Sequence, residues 1–526
     1  MRGVTATARA IFLSIMRRVR RLCRTRVAPV VVCVLVNCST TAASAEPVTL
    51  TAVAIRDSAV FSPAELFAAW RDHVGRPVAD DTAVTIADAV RAMYQDRGYA
   101  RPGYKVLDDG QRTGVVRIRV VEVKLSRIDW SGSAGPFEQQ LRDMAGALPT
   151  ESAIRPAAIR ELLRRARNMP GVTVAADTRL DAEGKGVVLD LDSEWRPFEG
   201  RLRLSNRGTR EIGRNLAFGQ VAANGLLGRE NQLGLYAGGT AEGGTYSSGG
   251  LFATTALGGA GTSARVVAGV SALELEGGDR LEEHDRQLVR LRLTHPVRRD
   301  DEHSLSVWGA FELEDLDIAI NGIVLREDRL RSVVAGTGLG WKWGRVRYYG
   351  SVELEQGITG LGGGVHTVTN PDDPRRPDFS IARLRFAGLT ALGEHWSVRW
   401  DAFAQHSPHH LPSTKRFKVG GNRIGRGFEA AAITGDRGVG NTLRLERRLD
   451  ELSGWRADST VYGFYDLGTT WREDAAGRDS AASAGIGVSF RAAWLAGSLE
   501  LAKPLTHADE DGDRDAKLFV EISAEF

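Results

Sequence analysis

Cysteine is almost missing from this chain. The 526 residues hold three, Cys23, Cys33 and Cys38, all within the first 45. Without that stretch no disulfide framework, thiolate metal site or cysteine nucleophile is possible. Such a chain can also cross an oxidising compartment without mispairing. Long hydrophobic runs are missing as well: no stretch of about eighteen apolar residues exists, so helical membrane spans are not expected. Charge of one sign is missing too. The 69 basic and 66 acidic residues leave a net charge of +3, which gives no case for nucleic-acid binding. No Gly-rich phosphate loop or serine-elbow motif appears. Neither an enzyme nor a bound cofactor is expected.

What is present begins with an export signal over residues 1–45. Arg17, Arg18, Arg20, Arg21, Arg24 and Arg26 form a basic segment, Val27 to Val36 is a short apolar core, and Ala43-Ser44-Ala45 offers a cleavage site before Glu46. The basic segment is long, which leaves Met16 open as the true start. Lipid attachment at Cys38 is disfavoured, because Leu35-Val36-Asn37 precedes it. At the other end, Leu518, Val520, Ile522, Ala524 and Phe526 share one face of a strand, and Glu521, Ser523 and Glu525 share the other. An outer-membrane barrel needs this pattern, with apolar side chains to lipid, polar ones to a wet lumen and an aromatic at the interface.

Between the ends, residues 46–122 and 123–197 each read as strand, helix, helix, strand, strand. In the first, Val48 to Ile55 is a strand and Pro63 to Val74 has helical spacing. Asp80 or Asp81 caps a second helix that stops at Gly98. Tyr104 to Leu107 and Val115 to Val123 are strands. In the second, Val123 to Trp130 is a strand, Pro136 to Leu148 and Ile154 to Met169 are helices, and Val172 to Leu180 and Val187 to Leu191 are strands around a turn with Gly184 and Gly186. The recurrence reads as an internal repeat; one mixed globular domain is the plain alternative.

From residue 198 to 526 helical periodicity disappears. Trp396, Val398, Trp400, Ala402 and Ala404 alternate with Ser397, Arg399, Asp401 and Gln405. Charged residues on a dry buried face are costly, whereas a water-filled lumen solvates them. The 60 glycines suit strands and tight turns. At roughly 20 residues per strand with its turn, this length makes about 16 strands, an even number as such barrels require. The fold expected is therefore α+β repeats followed by an all-β transmembrane barrel.

Two motifs carry a family resemblance. Gly425-Arg426-Gly427-Phe428, within an inward-folded loop at about 408–439, resembles the Val-Arg-Gly-Tyr/Phe hallmark of the sixth extracellular loop in the polypeptide-transport outer-membrane superfamily; Gly425 replaces the usual Val. Phe464-Tyr465-Asp466-Leu467-Gly468 resembles its Phe-x-Asp-x-Gly strand motif. Tyr94 to Tyr99 and Ile128-Asp129-Trp130-Ser131-Gly132 are similar to the first polypeptide-transport-associated (POTRA) repeat of two-partner-secretion transporters, the ShlB/FhaC/HecB haemolysin secretion/activation family. Asn224 to Leu233 resembles the hairpin near that family's barrel start. Alternation puts Phe464 and Asp466 in the lumen, where an inward loop can bring Arg426 to Asp466 as a bidentate pair. A Gly-rich surface turn and a solvated acid are the plain alternative.

The resemblance implies an outer-membrane translocator with two POTRA-like domains in the periplasm of a Gram-negative cell. Its substrate would be an unfolded exoprotein, β-helical once folded. Outer-membrane lipid would surround it, and a monomer is expected. Many such transporters have a plug helix before the first repeat; here Glu46 and Pro47 leave no room for one, so plugging falls to the inward loop or the chain is a divergent member. An assembly insertase of the same superfamily and a passive porin are the alternatives. His406, His409 and His410 lack the spacing of a metal site, and Asp509, Asp511, Asp513 and Asp515 read as an acidic loop rather than a calcium loop.

Overall fold

The computed structural model describes residues 48–526, apart from 151, 183–185, 228–229, 243–244, 278, 301, 369, 371–372, 450–457, 474–476 and 507–513. The export signal, the Gly184 turn position and most of the acidic loop lie outside the described residues.

The first sheet joins β1 (Ala52–Arg56), β2 (Gly103–Asp108) and β3 (Val115–Val121) in the order β1-β3-β2, with β1 parallel and β2 antiparallel to β3. Helix α2 (Thr82–Asp96) lays Ile86, Ala87, Val90 and Tyr94 on it. Two features differ from the sequence expectation. The Pro63 to Val74 segment is not one helix. Ser62 and Glu65 form a capping box that starts α1 (Pro63–Leu66), and two 3-10 turns then carry the chain to His73. The reason is packing: Leu66 is buried and Trp70 reaches the core, while Phe67 and Val74 stay exposed, so only part of the apolar stripe covers a surface. Asp81 does stand at the start of α2, but its side chain caps nothing; Thr82 Oγ1 instead accepts the Ala79 N–H at 2.9 Å.

The second sheet repeats the plan. It joins β4 (Leu125–Gly132), β5 (Val172–Leu180) and β6 (Val187–Trp195) in the order β4-β6-β5, again with one parallel and one antiparallel pairing. Helices α3 (Glu138–Gly146) and α4 (Pro156–Ala166) cover it with Leu141, Leu162 and Ala166 around Phe137. The expected helix start at Pro136 is a 3-10 turn over Gly135–Phe137. The two units meet where Ala100 N–H donates to the Ile154 carbonyl at 2.8 Å and Arg155 lies over the Tyr99 ring.

The rest is a closed antiparallel barrel of sixteen strands. Its first half is β7 (Phe198–Ser205), β8 (Leu216–Asn224), β9 (Asn231–Thr240), β10 (Tyr246–Leu257), β11 (Thr262–Gly277), β12 (Arg280–Arg299), β13 (His303–Ile320) and β14 (Ile323–Trp343). A short β16 (Gly364–Thr367), in the loop after β15 (Val346–Gly357), adds itself to β14. The wall continues through β17 (Ser380–Ala391) and β18 (Trp396–His406). A hairpin of β19 (Phe417–Val419) and β20 (Ile433–Gly435) interrupts it, and then β21 (Arg437–Leu449), β22 (Asp458–Trp471), β23 (Asp479–Ala492), β24 (Leu495–Pro504) and β25 (Lys517–Glu525) complete it. Closure pairs β25 with β7, and Phe526 and Gly200 exchange backbone hydrogen bonds at 2.7 and 3.0 Å.

Leu518, Val520 and Ile522 face outward, as do Val221, Leu235, Leu384, Tyr465, Leu467 and Ile486, all of them exposed. A band of exposed aliphatic side chains around a sheet without edges is what hydrocarbon requires of a spanning strand structure. Asn224, at the end of β8, ties the barrel to the second unit. Its amide donates to the Arg196 carbonyl at 3.0 Å and to Glu199 at 2.7 Å.

Candidate functional site in the barrel lumen

Residues 407–436, between β18 and β21, fold into the barrel rather than away from it. The β19–β20 hairpin pairs Phe417 with Gly435 and Val419 with Ile433. Its apolar residues have their own small core, Val419, Ile424, Phe428 and Ile433 against Ala481 of β23. The wall is dented to receive it. A Cβ at Gly440 would stand 2.4 Å from Ile424, and one at Gly468 would stand 2.6 Å from both methyls of Val419. Those distances leave no room for any residue but glycine. Gly425 has φ +75°, the left-handed region, so its place in the usual Val position goes with a turn that valine resists.

The turn aims Arg426. Its Nε donates to Asp466 Oδ2 at 2.9 Å and its Nη2 to Asp466 Oδ1 at 2.7 Å. The Arg426 backbone N–H adds a third bond to Oδ2 at 3.0 Å. The guanidinium lies 3.5 Å over the Phe464 ring centroid. Asp466 is wholly buried and Arg426 is 6 % exposed. A buried bidentate pair with a stacked face holds one orientation, because the planar fork matches the carboxylate. The conspicuous residues of Phe464-x-Asp466-x-Gly468 thus contribute differently: a ring beneath the guanidinium, a carboxylate in front of it, and space for Val419.

The family follows from comparison at this point. The model of the haemolysin secretion/activation protein ShlB/FhaC/HecB matches residues 186–490, more than half of the chain, and a ShlB-type POTRA domain matches residues 48–123. The chain belongs to the ShlB/FhaC/HecB family. Among curated proteins, the outer membrane transporter CdiB of Escherichia coli is 24% identical over 467 residues, 81% of this chain and 74% of the relative. The solved structure of CdiB from Escherichia coli superposes with a TM-score of 0.69 at 17% identity, covering 93% of each chain. CdiB from Acinetobacter baumannii gives 0.60 at 13% identity, covering 99% of this chain and 98% of that one. BamA from Haemophilus ducreyi lacking POTRA domains 1–3 gives 0.52 at 14% identity, over 91% and 100%. These structural likenesses concern the fold.

This member of the family is an outer-membrane transporter that exports an exoprotein in two-partner secretion, with its POTRA region in the periplasm. The strand ends nearest the small sheets are therefore periplasmic, and residues 407–436 enter the lumen from the extracellular side.

Around Arg426 stand residues that the two motifs do not contain. Glu500 of β24 accepts from Arg426 Nη1 at 3.3 Å and from the Tyr462 hydroxyl at 3.1 Å, and it pairs with Arg207. Thr442 Oγ1 accepts from Arg426 Nη2 at 2.9 Å. Glu500 was open to discovery, since alternation against Leu499 and Leu501 puts it in the lumen. A second anchor holds the stem of the loop. Lys415 Nζ lies 2.7 Å from Glu355, 3.2 Å from Glu312 and 3.4 Å from Glu314, all four buried. At the tip, Glu429 accepts the Arg210 backbone N–H at 3.2 Å. His409, one of the three clustered histidines, accepts the Ser380 N–H through Nδ1 at 3.1 Å.

Proposed function

We propose that the inward loop is the resting plug of an export channel and that Arg426 and Asp466 are its lock. The observation that carries this reading is the burial of Arg426 between Asp466, Glu500 and Phe464 inside the lumen. A loop held only for stability gains little from a buried charge, because an apolar contact of the same volume serves as well. A loop that must sit in one place and leave in one piece gains from a bidentate pair that is either whole or broken.

Residues 46–122 and 123–197 act as two receiving domains. The exposed strand edges of β2 and β5 offer backbone donors and acceptors to an unfolded chain, which adds there as a strand. The exoprotein then threads the lumen as the loop swings out, and folds into a β-helix outside. One chain closes the barrel within outer-membrane lipid, so a monomer suffices, and no bond of the substrate is made or broken.

Removing Val48 to Leu125 tests the reading. The barrel satisfies its backbone hydrogen bonds within its own closed sheet. The truncated protein should therefore conduct in planar bilayers yet leave its exoprotein in the periplasm. Normal secretion by that protein would refute the receiving role and favour a porin.

A further inference from the structure

On the lumen wall from β7 to β14, one arrangement recurs. An aromatic ring lies across a glycine of the next strand, and an arginine lies over the ring. Phe218 of β8 faces Gly238 of β9 and carries Arg203 of β7. Phe252 of β10 faces Gly234 of β9 and carries Arg265 of β11. Trp308 of β13 faces Gly336 of β14 and carries Arg292 of β12. The rings fill the glycine sites so fully that a Cβ would come within 2.1 Å of Phe218, 2.2 Å of Phe252 and 2.3 Å of Trp308. The glycine thus fixes the ring, and the ring fixes the guanidinium at 5.4, 4.8 and 4.6 Å from the three centroids.

At the loop the same unit is closed by acids: Arg426 on Phe464, opposite Gly485, is answered by Asp466 and Glu500. From β7 to β14 it is not. Arg203, Arg265 and Arg292 make no ion pair among the described residues, although Arg286 and Arg290 on the same strand as Arg292 pair with Glu314 and Glu312. Moreover Arg265 and Arg292 stand directly opposite one another in the β11–β12 register. Like charges in that position destabilise a sheet, so a wall built for stability alone would place a carboxylate at one of them. With the loop in place, Arg203 and Arg265 remain exposed to the lumen.

We propose that this wall, centred on Arg265 and Arg292 with Arg203 beside them, binds the carboxylate side chains of an extended polypeptide. The proposal rests on the reading of the lumen as a polypeptide path. Three preset guanidiniums offer planar, two-pronged contact to successive Asp or Glu side chains. Arg203 and Arg265 are exposed and Arg292 is half-buried, so each contact is salt-screened and an extended chain is held by several weak contacts and released easily. The segment recognised is acidic; a basic one is repelled by the paired arginines.

The test uses the full chain in detergent at low salt and two fluorescein-labelled probes, a short peptide alternating Glu with Gly and its Lys counterpart. Anisotropy should show the acidic peptide binding, weaker as salt rises, and the basic peptide failing to bind. Arg265→Gln with Arg292→Gln, which keeps most of each stem on its ring, should weaken acidic-peptide binding about tenfold or more. Arg265→Lys with Arg292→Lys should retain much of it, which separates charge from folding. Equal binding of both peptides by the unaltered chain would overturn the proposal, as would a Gln pair that binds the acidic peptide as tightly as the parent. A Gln pair that loses acidic-peptide binding yet exports normally would uphold the anion site and count against the lumen as the export path.

Discussion

Arg426 meets Asp466 through three N–H donors, two from the guanidinium and one from its own backbone. The residue therefore fixes both its side chain and its segment of main chain to a single carboxylate. Loss of either partner leaves the other charged and buried, a loss that typically costs about 3–5 kcal/mol. Arg426→Ala and Asp466→Ala should each impair export while the barrel still reaches the membrane, and each should expose the loop to an external protease. The double variant should cost less than the two single ones added, with a coupling of about 0.5–3 kcal/mol in a double-mutant cycle on loop cleavage. Additive effects would mean that the two residues act separately.

Val419 and Gly468 provide a steric counterpart to that electrostatic test. A methyl at Gly468 would lie 2.6 Å from both Val419 methyls and 3.2 Å from its Cβ. Gly468→Ala should thus lift the hairpin and increase loop cleavage, although no hydrogen bond has been removed. Adding Val419→Ala deletes the two clashing methyls and should restore the parent's resistance. Failure of that rescue would show that Gly468 serves the backbone of β22 and not the seat of the loop.

Much of this site was legible because β22 and β24 pair with their neighbours without a bulge, so their side chains alternate strictly. Phe464 and Asp466 follow from the outward placement of Tyr465 and Leu467, and Glu500 follows in the same way from Leu499 and Leu501. The hairpin was not legible, since β19 and β20 are three residues each, shorter than any periodicity can register. Lys415 was missed for a related reason: its three acids come from β13 and β15, and only the path of the loop brings it to them. The Pro63 to Val74 segment misled because Leu66, Phe67, Trp70 and Val74 repeat at helical spacing, yet only Leu66 is fully buried. The membership of Gly234, Gly238 and Gly336 in aromatic seats was also hidden, because register decides it and a sequence does not display register.

Tyr94 joins the first sheet to its covering helix. Its hydroxyl donates to Glu122 Oε1 at 2.6 Å, and the same oxygen accepts the Ala59 and Val60 N–H groups at 2.7 and 3.1 Å. Burial, and then the hydrogen bond to Glu122, push the phenol well above its ordinary value near 10. Folding thus favours the neutral phenol. Its contribution should be complete below about pH 10 and fade as pH rises further. Tyr94→Phe should cost about 1–3 kcal/mol at pH 8. An alkaline-active protease should cut within residues 48–121 faster in the variant at pH 8, and the gap from the parent should narrow above about pH 10. A gap that stays constant across that range would remove Tyr94 as the titrating group.

Lys415 should be the residue on which the stem of the plug depends. It is the shared cation of Glu312, Glu314 and Glu355. The first two acids keep Arg290 and Arg286, and Glu355 keeps Arg383 and the Ser332 hydroxyl. The barrel wall should therefore survive Lys415→Met, since every carboxylate retains one partner. The loop loses the three ion pairs that this side chain makes to β13 and β15, and three anions are left facing one apolar stem. The expected result is a barrel of normal heat-modified mobility whose conductance rises because the plug is displaced at its base. Adding Glu355→Gln should reverse part of that rise by removing the acid nearest to the vacated ammonium. If Lys415→Met leaves conductance and loop cleavage unchanged, the tip alone holds the plug, and Arg426 would have to supply the whole of the restraint.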